Sequence, residues 1–459
     1  MNNVGEIRQS LKKRFDRINN ESLKNNVLQA MPFWIASGIT GIIAVVYARL
    51  FAMAESATLM ITETYRWMIF ILAPLFFFLA WWIVQRFSPT ARGSGIPQVM
   101  AAIELANPKE NSKVDSLLSL KVIVVKVCSS LLMVVGGGVV GREGPTIQIA
   151  GSIFRWVNNL IPASWPKISK RNMIMTGAAA GLAAAFNTPL GGIVFAVEEL
   201  TKTHFRYFRT AIFSAVIIAG LTAQGLLGPY LYLGFPDMFG LSWYIILVVI
   251  IVAVVSGLAG SSMARLIVKL LAYKKQFSFR KQVVYLFATA IVISAFSFFF
   301  TPLAAGSGKE IMTSTLFTDN KIVAWYLPVL RFAGTILSFC VGAAGGVFAP
   351  ALAAGASVGS VMAGWFNMAG SNANILILAG MVSFLTGITR SPFTSAILVL
   401  EMTDRHNVIF HLMAAAMVAN LVSMIIDRRS LYDHLKDGYL EEAGHDIKKG
   451  NDPPPAESY

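Results

Sequence analysis

Long apolar runs broken by short polar segments dominate this 459-residue chain. The clearest are Met31 to Leu50, Trp67 to Val84, Thr210 to Leu227, Leu241 to Met263, Val283 to Phe300 and His406 to Ile426. Each is close to the ~20 residues with which a helix crosses a bilayer, so they predict membrane-spanning helices. Two further stretches are apolar in another way. From Phe332 to Thr389 there is no charged side chain for 58 residues, yet glycine recurs often enough to weaken a plain helix. Several broken or tilted helices packed inside the protein are predicted there. Asn172 to Val197 is also charge-free and rich in Gly and Ala, which suits close helix packing rather than contact with lipid.

One interruption differs from the rest. Gly136-Gly137-Gly138-Val139-Val140-Gly141-Arg142-Glu143-Gly144-Pro145 sets flexible glycines and two opposite charges between apolar runs. Charge and irregular backbone at membrane depth are tolerated where they are buried in protein or line a cavity, so the tract predicts a transport pathway. Its proline predicts a helix start, whose first N–H groups lack intrahelical acceptors and attract anions.

Composition agrees with an all-α polytopic membrane protein: 55% of residues are hydrophobic, 14% are charged and the mean hydropathy is +0.62. The net charge of +14 does not point to nucleic acid, because it is concentrated in connections between apolar runs. Arg265, Lys269, Lys274, Lys275, Arg280 and Lys281 share one connection without an acid, and Lys202, Arg206 and Arg209 form another cluster. Ala52 to Tyr65 and Pro229 to Ser242 carry only acids. By the positive-inside rule the basic connections are cytoplasmic. The N-terminal segment 1–30 holds Arg8, Lys12, Lys13, Arg14, Arg17 and Lys24 without a secretory apolar region, and is expected inside as a surface-lying helix or a solvated tail. The membrane region is expected over 31–439. The tail 440–459, which contains Pro453-Pro454-Pro455, is expected to be polar and cytoplasmic.

Cys128 and Cys340 lie in apolar surroundings and are expected to be packing residues. The five histidines include no metal-ligand spacing beside an acid, and no nucleophile or metal set fits an intramembrane enzyme. Neither a catalytic role nor a cofactor is expected.

The chain repeats itself. Pro189 is followed nine residues later by Glu198, and Pro392 nine residues later by Glu401. These prolines lie 203 residues apart, Pro145 and Pro350 lie 205 apart, and Gly93-Ser94-Gly95 and Gly306-Ser307-Gly308 lie 213 apart. Landmarks in the same order predict two structural repeats, about 31–205 and 240–426, with a C-terminal helix at about 428–439. Repeats with broken helices meeting near the midplane characterise ion transporters, although spacing leaves their relative orientation open.

Gly93-Ser94-Gly95-Ile96-Pro97, Gly141-Arg142-Glu143-Gly144-Pro145 and Gly345-Gly346-Val347-Phe348-Ala349-Pro350 resemble the three signature motifs of the CLC chloride channels and chloride/proton antiporters. The resemblance runs on through Asn187 to Glu199, Glu401-Met402-Thr403-Asp404 and Ser430-Leu431-Tyr432, and covers nearly everything from Met31 to about Tyr439. It implies a homodimer in the lipid bilayer, each subunit with its own anion pathway built from two inverted repeats of tilted, often half-spanning helices. It also implies that Ser94, the backbone N–H groups of Val347 and Phe348, and the Tyr432 phenol bind chloride. Serine at this position accompanies chloride preference in the family, and proline accompanies nitrate.

Glu143 carries a physical argument of its own. An ionised carboxylate has the charge of chloride and accepts from the same N–H groups, so it can fill an anion site and leave when protonated. Gate and external proton acceptor are then one group; the bland alternative is a structural ion pair with Arg142. Glu199 reads by itself as a solvated helix end paired with Lys202. The resemblance makes it the internal proton-transfer residue of the antiporters, where passive channels usually have a non-acid. The expected function is therefore exchange of chloride for protons, with a passive chloride channel as the alternative. A fluoride exporter is disfavoured because such members depart from the Ser94 and Tyr432 pattern. Gln98 and Met100 stand where related antiporters often have acids, and Ala344 replaces a common proline. Lys126 is isolated in an apolar run, and Glu104 or Glu199 is expected as its partner. The lack of paired CBS domains suggests a bacterial plasma-membrane protein, both termini inside.

Overall fold

The structure is a computed structural model describing residues 21–162, 165, 166, 168–200, 209–228 and 231–445. The basic positions Arg8 to Arg17, Lys202 and Arg206, and the triproline tail, lie outside the described residues.

Among the described residues the chain is helical, and its helices of seven or more residues fall into two sets of eight and a last one. The first set is α1 (Glu21–Thr64), α2 (Ile69–Phe87), α3 (Ile96–Leu105), α4 (Leu120–Val135), α5 (Glu143–Asn159), α6 (Lys170–Phe186), α7 (Pro189–Phe195) and α8 (Arg209–Leu227). The second is α9 (Ile245–Lys274), α10 (Phe279–Ala295), α11 (Lys309–Phe317), α12 (Leu327–Phe339), α13 (Phe348–Trp365), α14 (Gly370–Thr389), α15 (Pro392–Thr403) and α16 (Ile409–Ile426). Helix α17 (Leu431–Glu442) follows. Each member of the first set has its counterpart eight helices later, and the sequence landmarks sit at the same place in both: a Gly-Ser-Gly turn before α3 and α11, and Pro at the start of α7 and α15. In both Gly-Ser-Gly turns the flanking glycines are left-handed, with φ of 65° and 111° in the first and 68° and 89° in the second, a conformation that a side chain strains.

Nine described helical segments are long and apolar enough to cross a membrane. Others are too short, among them α3, α12 and α15. The charge-free stretch 332–389 is broken as expected, into the end of α12, a turn, and the almost wholly buried α13 and α14. These two cross with backbones nearly in contact: a Cβ on Gly355 would strike the Gly380 carbonyl, and the reverse holds for Gly380. The largest apolar core gathers around this crossing.

Two boundaries differ from expectation. Ala52 to Tyr65 is not a connection; α1 continues to Thr64 and reaches 44 residues. Its acids end no helix because Ala, Leu, Met and Glu are good helix formers and no Gly or Pro stands among them. Likewise α9 carries Arg265, Lys269 and Lys274 in its final turns rather than in a loop, since long basic stems extend along apolar surface while their heads reach water. Cys340 is buried as expected, whereas Cys128 lies on the exposed face of α4.

The repeats lock together by exchange. The Glu198 carboxylate accepts the N–H groups of Phe393 and Thr394 at the start of α15, at 3.2 and 2.7 Å, and the Thr394 hydroxyl at 2.7 Å. The Glu401 carboxylate accepts those of Leu190 and Gly191 at the start of α7, at 3.0 and 2.6 Å. Each satisfies donors that a helix leaves unpaired, and adds negative charge at the positive end of its dipole.

Candidate ion-transport site

The three glycine-rich motifs, far apart in sequence, are stitched together by backbone hydrogen bonds. The Gly93 N–H donates to Ala343 at 2.8 Å, and the Gly345 N–H donates to Gly93 at 3.1 Å. Gly141 and Gly346 exchange a pair, at 2.8 and 2.7 Å. This minimal bridging holds the N-termini of α3, α5 and α13 toward one place. Each end leaves first-turn N–H groups without intrahelical acceptors, so three partial positive charges converge.

Into this place come the side chains expected from sequence. Ser94 is 1% exposed, Glu143 1%, and Tyr432, Val347 and Phe348 are fully buried. Gly144 of α5 packs directly on Ser94, too close for any side chain there. Tyr432, from the first turn of α17, stacks its ring on Phe348, with centroids 6.1 Å apart and planes 12° apart. The Ser94 and Tyr432 hydroxyls lie close to one another, and neither has a hydrogen-bond partner elsewhere in the protein. Buried hydroxyls are rarely left without a partner, so this pair fits an anion seated between them and the end of α13.

Glu143 opens α5. One carboxylate oxygen accepts from the Tyr232 phenol at 3.2 Å; the other is buried without a partner. Arg142 acts on this carboxylate electrostatically, as do Glu55 and Lys309.

Glu199 is 7% exposed and lies in a turn of π-helix, Ala196–Leu200, that extends α7; Ser391 at the start of α15 donates its hydroxyl to it. A π-turn adds a residue to the helix and re-aims those beside it. Glu198 then caps α15 while Glu199 turns into the protein, which replaces the expectation of a solvated helix end.

Lys126 corrects another expectation. It pairs with neither Glu104 nor Glu199. Its buried ammonium donates to the carbonyls of Ala91 and Gly93, both at 2.8 Å, and to that of Arg92 at 3.4 Å. Glu104 pairs instead with Lys436 on α17. The three donors of the ammonium thus all go to the backbone just before Ser94. Gln98 supports the same turn from inside, its amide donating to Thr90, Arg92 and the Tyr439 hydroxyl.

Two cavities flank the site. One of about 380 Å³ reaches Ser94 and is lined by Arg92, Lys274 and Lys275. The other, about 340 Å³, is lined by Glu55, Ser307 and Lys309. Tyr232 was not legible as part of this arrangement: it follows α8 in a segment without helical periodicity, and nothing local marks it.

Helix ends from two repeats, converging on buried hydroxyls and a buried carboxylate between two cavities, define a polytopic membrane protein built to handle an anion. The sequence model described as voltage gated chloride channel matches residues 76–424, and the chain belongs to that family, the CLC proteins. It is 29% identical over 381 residues to the H(+)/Cl(-) exchange transporter ClcA of Cronobacter sakazakii, covering 80% of this chain and 79% of that one. With the ClcA of Citrobacter koseri it shares 28% over 416 residues, 87% and 86% of the two chains. Among solved structures, a slow cyanobacterial Cl-/H+ antiporter superposes with a TM-score of 0.79 at 23% identity, over 91% of this chain and 99% of the other. A CLC-type fluoride/proton antiporter superposes with a TM-score of 0.73 at 20% identity, over 90% and 98%. The architecture is thus the CLC fold of two inverted repeats.

Proposed function

We propose that this protein is a secondary transporter exchanging chloride for protons across a bacterial plasma membrane. The observation that carries the reading is the pair of buried hydroxyls of Ser94 and Tyr432, without a partner elsewhere in the protein, beside the first turn of α13, with Glu143 at the start of α5. Ser94, Tyr432 and the N–H groups of Val347 and Phe348 take chloride without a full positive charge that would trap it. Glu143 competes for the same pathway when ionised and gives it up on taking a proton. Glu199, held by Ser391, passes that proton to the other face. The exchanger names carried by the ClcA relatives support the same reading. Following the basic connections, the cavity with Lys274 and Lys275 faces the cytoplasm and the one lined by Glu55 and Glu310 faces outward. The protein works as a homodimer with both termini inside, its first repeat extending past the expected end near residue 205 to take in α8, and its second being α9–α16.

Chloride and proton flux measured together from liposomes, at a set chloride gradient, tests this. Uphill proton movement that Glu199→Gln abolishes while chloride flux survives is expected. Chloride flux without proton movement in the wild type would make the protein a passive channel and leave Glu199 a structural charge.

A further inference from the structure

We propose that Tyr232 is a latch on the Glu143 gate: its phenol O–H holds the carboxylate across the anion pathway, and opening requires that this hydrogen bond be given up. The inference rests on the reading of Glu143 as the gate and assigns it a partner.

The placement of Tyr232 is unusual for its setting. It belongs to the non-helical segment after α8, yet it is 3% exposed and its hydroxyl meets a carboxylate at the heart of the fold, 3.2 Å away. The segment is tied down nearby. The Leu233 N–H donates to the Met402 carbonyl at the end of α15, at 3.1 Å, the Arg405 guanidinium donates to Pro236, and the Asn374 amide donates to Asp237 at 3.0 Å. These contacts fix an otherwise irregular stretch so that one phenol points inward. The ring has two close neighbours: Phe186 meets it edge-on with centroids 5.1 Å apart, and the Lys309 ammonium lies 4.9 Å from its centroid.

A phenol donating to a carboxylate makes a charge-assisted hydrogen bond, stronger than one to a neutral carboxyl group. The bond therefore favours the ionised, blocking gate. Protonation weakens it, so proton uptake both discharges the carboxylate and loosens its latch. Phe186 also contacts Phe348, at 6.3 Å, and Phe348 stacks on Tyr432. One column of rings thereby joins the gate's partner to the hydroxyl that lines the chloride site. The other charged or titratable groups that act on this cluster are Arg142, Glu55, Lys309, Tyr47 and Tyr432. Of the three tyrosines around the carboxylate, Tyr47, Tyr232 and Tyr432, Tyr232 is the one bonded to the Glu143 side chain.

The test is chloride efflux from liposomes as a function of pH for the wild type, Tyr232→Phe, Glu143→Gln and the double variant. Removing only the hydroxyl keeps the ring packing and withdraws support from the ionised gate. The pH of half-maximal flux is expected to rise by about one unit in Tyr232→Phe, a tenfold change in proton affinity. No difference between Glu143→Gln and the double variant is expected. An unchanged or lowered midpoint in Tyr232→Phe overturns the latch, as does an effect that persists without the Glu143 carboxylate. Glu143→Gln alone reports on the gate: if it keeps the wild-type pH profile, the gate reading fails whatever Tyr232 does. Should Tyr232→Phe not fold, the infrared carboxylate band of the wild type, assigned by its loss in Glu143→Gln, serves instead. A band shifted by hydrogen bonding supports the latch, and one at the position of an unbonded carboxylate overturns it.

Discussion

Lys126 and Arg331 do the same work in the two repeats. Each stands nineteen residues before a helix-opening proline, Pro145 or Pro350, and each is fully buried. Lys126 donates to the carbonyls of Ala91 and Gly93, just before Ser94; Arg331 donates to those of Ala305 and Gly306, just before Ser307, at 2.9 and 3.0 Å. A cation inside the fold satisfies the carbonyls that a left-handed Gly-Ser-Gly turn leaves without helical partners.

Lys126→Met leaves those carbonyls buried and unpaired beside the proposed anion site. It is expected to destabilise the protein by about 1–3 kcal/mol and to weaken chloride binding. Arg331→Met should destabilise it comparably while affecting chloride binding less. Thermal unfolding in detergent, paired with calorimetric chloride titration, separates the two effects. Unaltered unfolding and binding in Lys126→Met would show the turn holds itself.

Glu198 and Glu199 are neighbours with different tasks. Glu198→Ala uncaps α15 and should lower stability by about 1–2 kcal/mol, with the chloride-to-proton ratio intact. Glu199→Gln should keep the stability and lose proton transport. Unfolding temperature and coupled flux, read on both variants, check the division; a coupling defect in Glu198→Ala would contradict it.

Ser94→Ala and Tyr432→Phe each remove one buried hydroxyl from the proposed chloride site. Each is expected to lower chloride affinity by roughly 5- to 10-fold, since a hydrogen bond to a charged partner contributes about 1.5 kcal/mol or somewhat less when a neighbour compensates. Because both act on one ion, their effects should couple in a double-mutant cycle. Isothermal titration with chloride measures all four proteins, and unchanged affinity in both single variants would move the site elsewhere.

The start of the C-terminal segment is held to the loop before α4 by Glu110, whose carboxyl is pulled down to about 2 by hydrogen bonds from Asn107, His445 and Lys113. A carboxyl lowered by folding stabilises above its ordinary value, near 4.5, and that contribution disappears as the pH falls toward 2. Measured relative to the intrinsic exchange rate at each pH, hydrogen exchange over residues 440–445 should thus stay slow down to about pH 4.5 and quicken below it. In Glu110→Gln it should already be faster at neutral pH. Equal exchange in both proteins would show the clasp to be unimportant.

What the sequence determined about this protein is whatever a local stretch of backbone demands of its residues. Left-handed turns need glycine, helix starts accept proline, and spans need long apolar runs, so the three motifs, the repeat and the positions of Ser94, Glu143 and Val347 were legible in order along the chain. The same logic failed at α1 and α9, because charges at the ends of long helices look like loops until it is known that the helix reaches water. Tertiary structure alone decided the partners. Lys126 takes the carbonyls of Ala91 and Gly93 instead of an acid. Glu198 and Glu401 cap one another's repeats, an exchange that equal spacing hinted at and only the meeting of the two repeats fixed. Tyr232 reaches Glu143 across 89 residues from a segment with no period of its own. Hydrogen bonds between such distant groups depend on where whole helices come to rest, and no neighbouring residue records that.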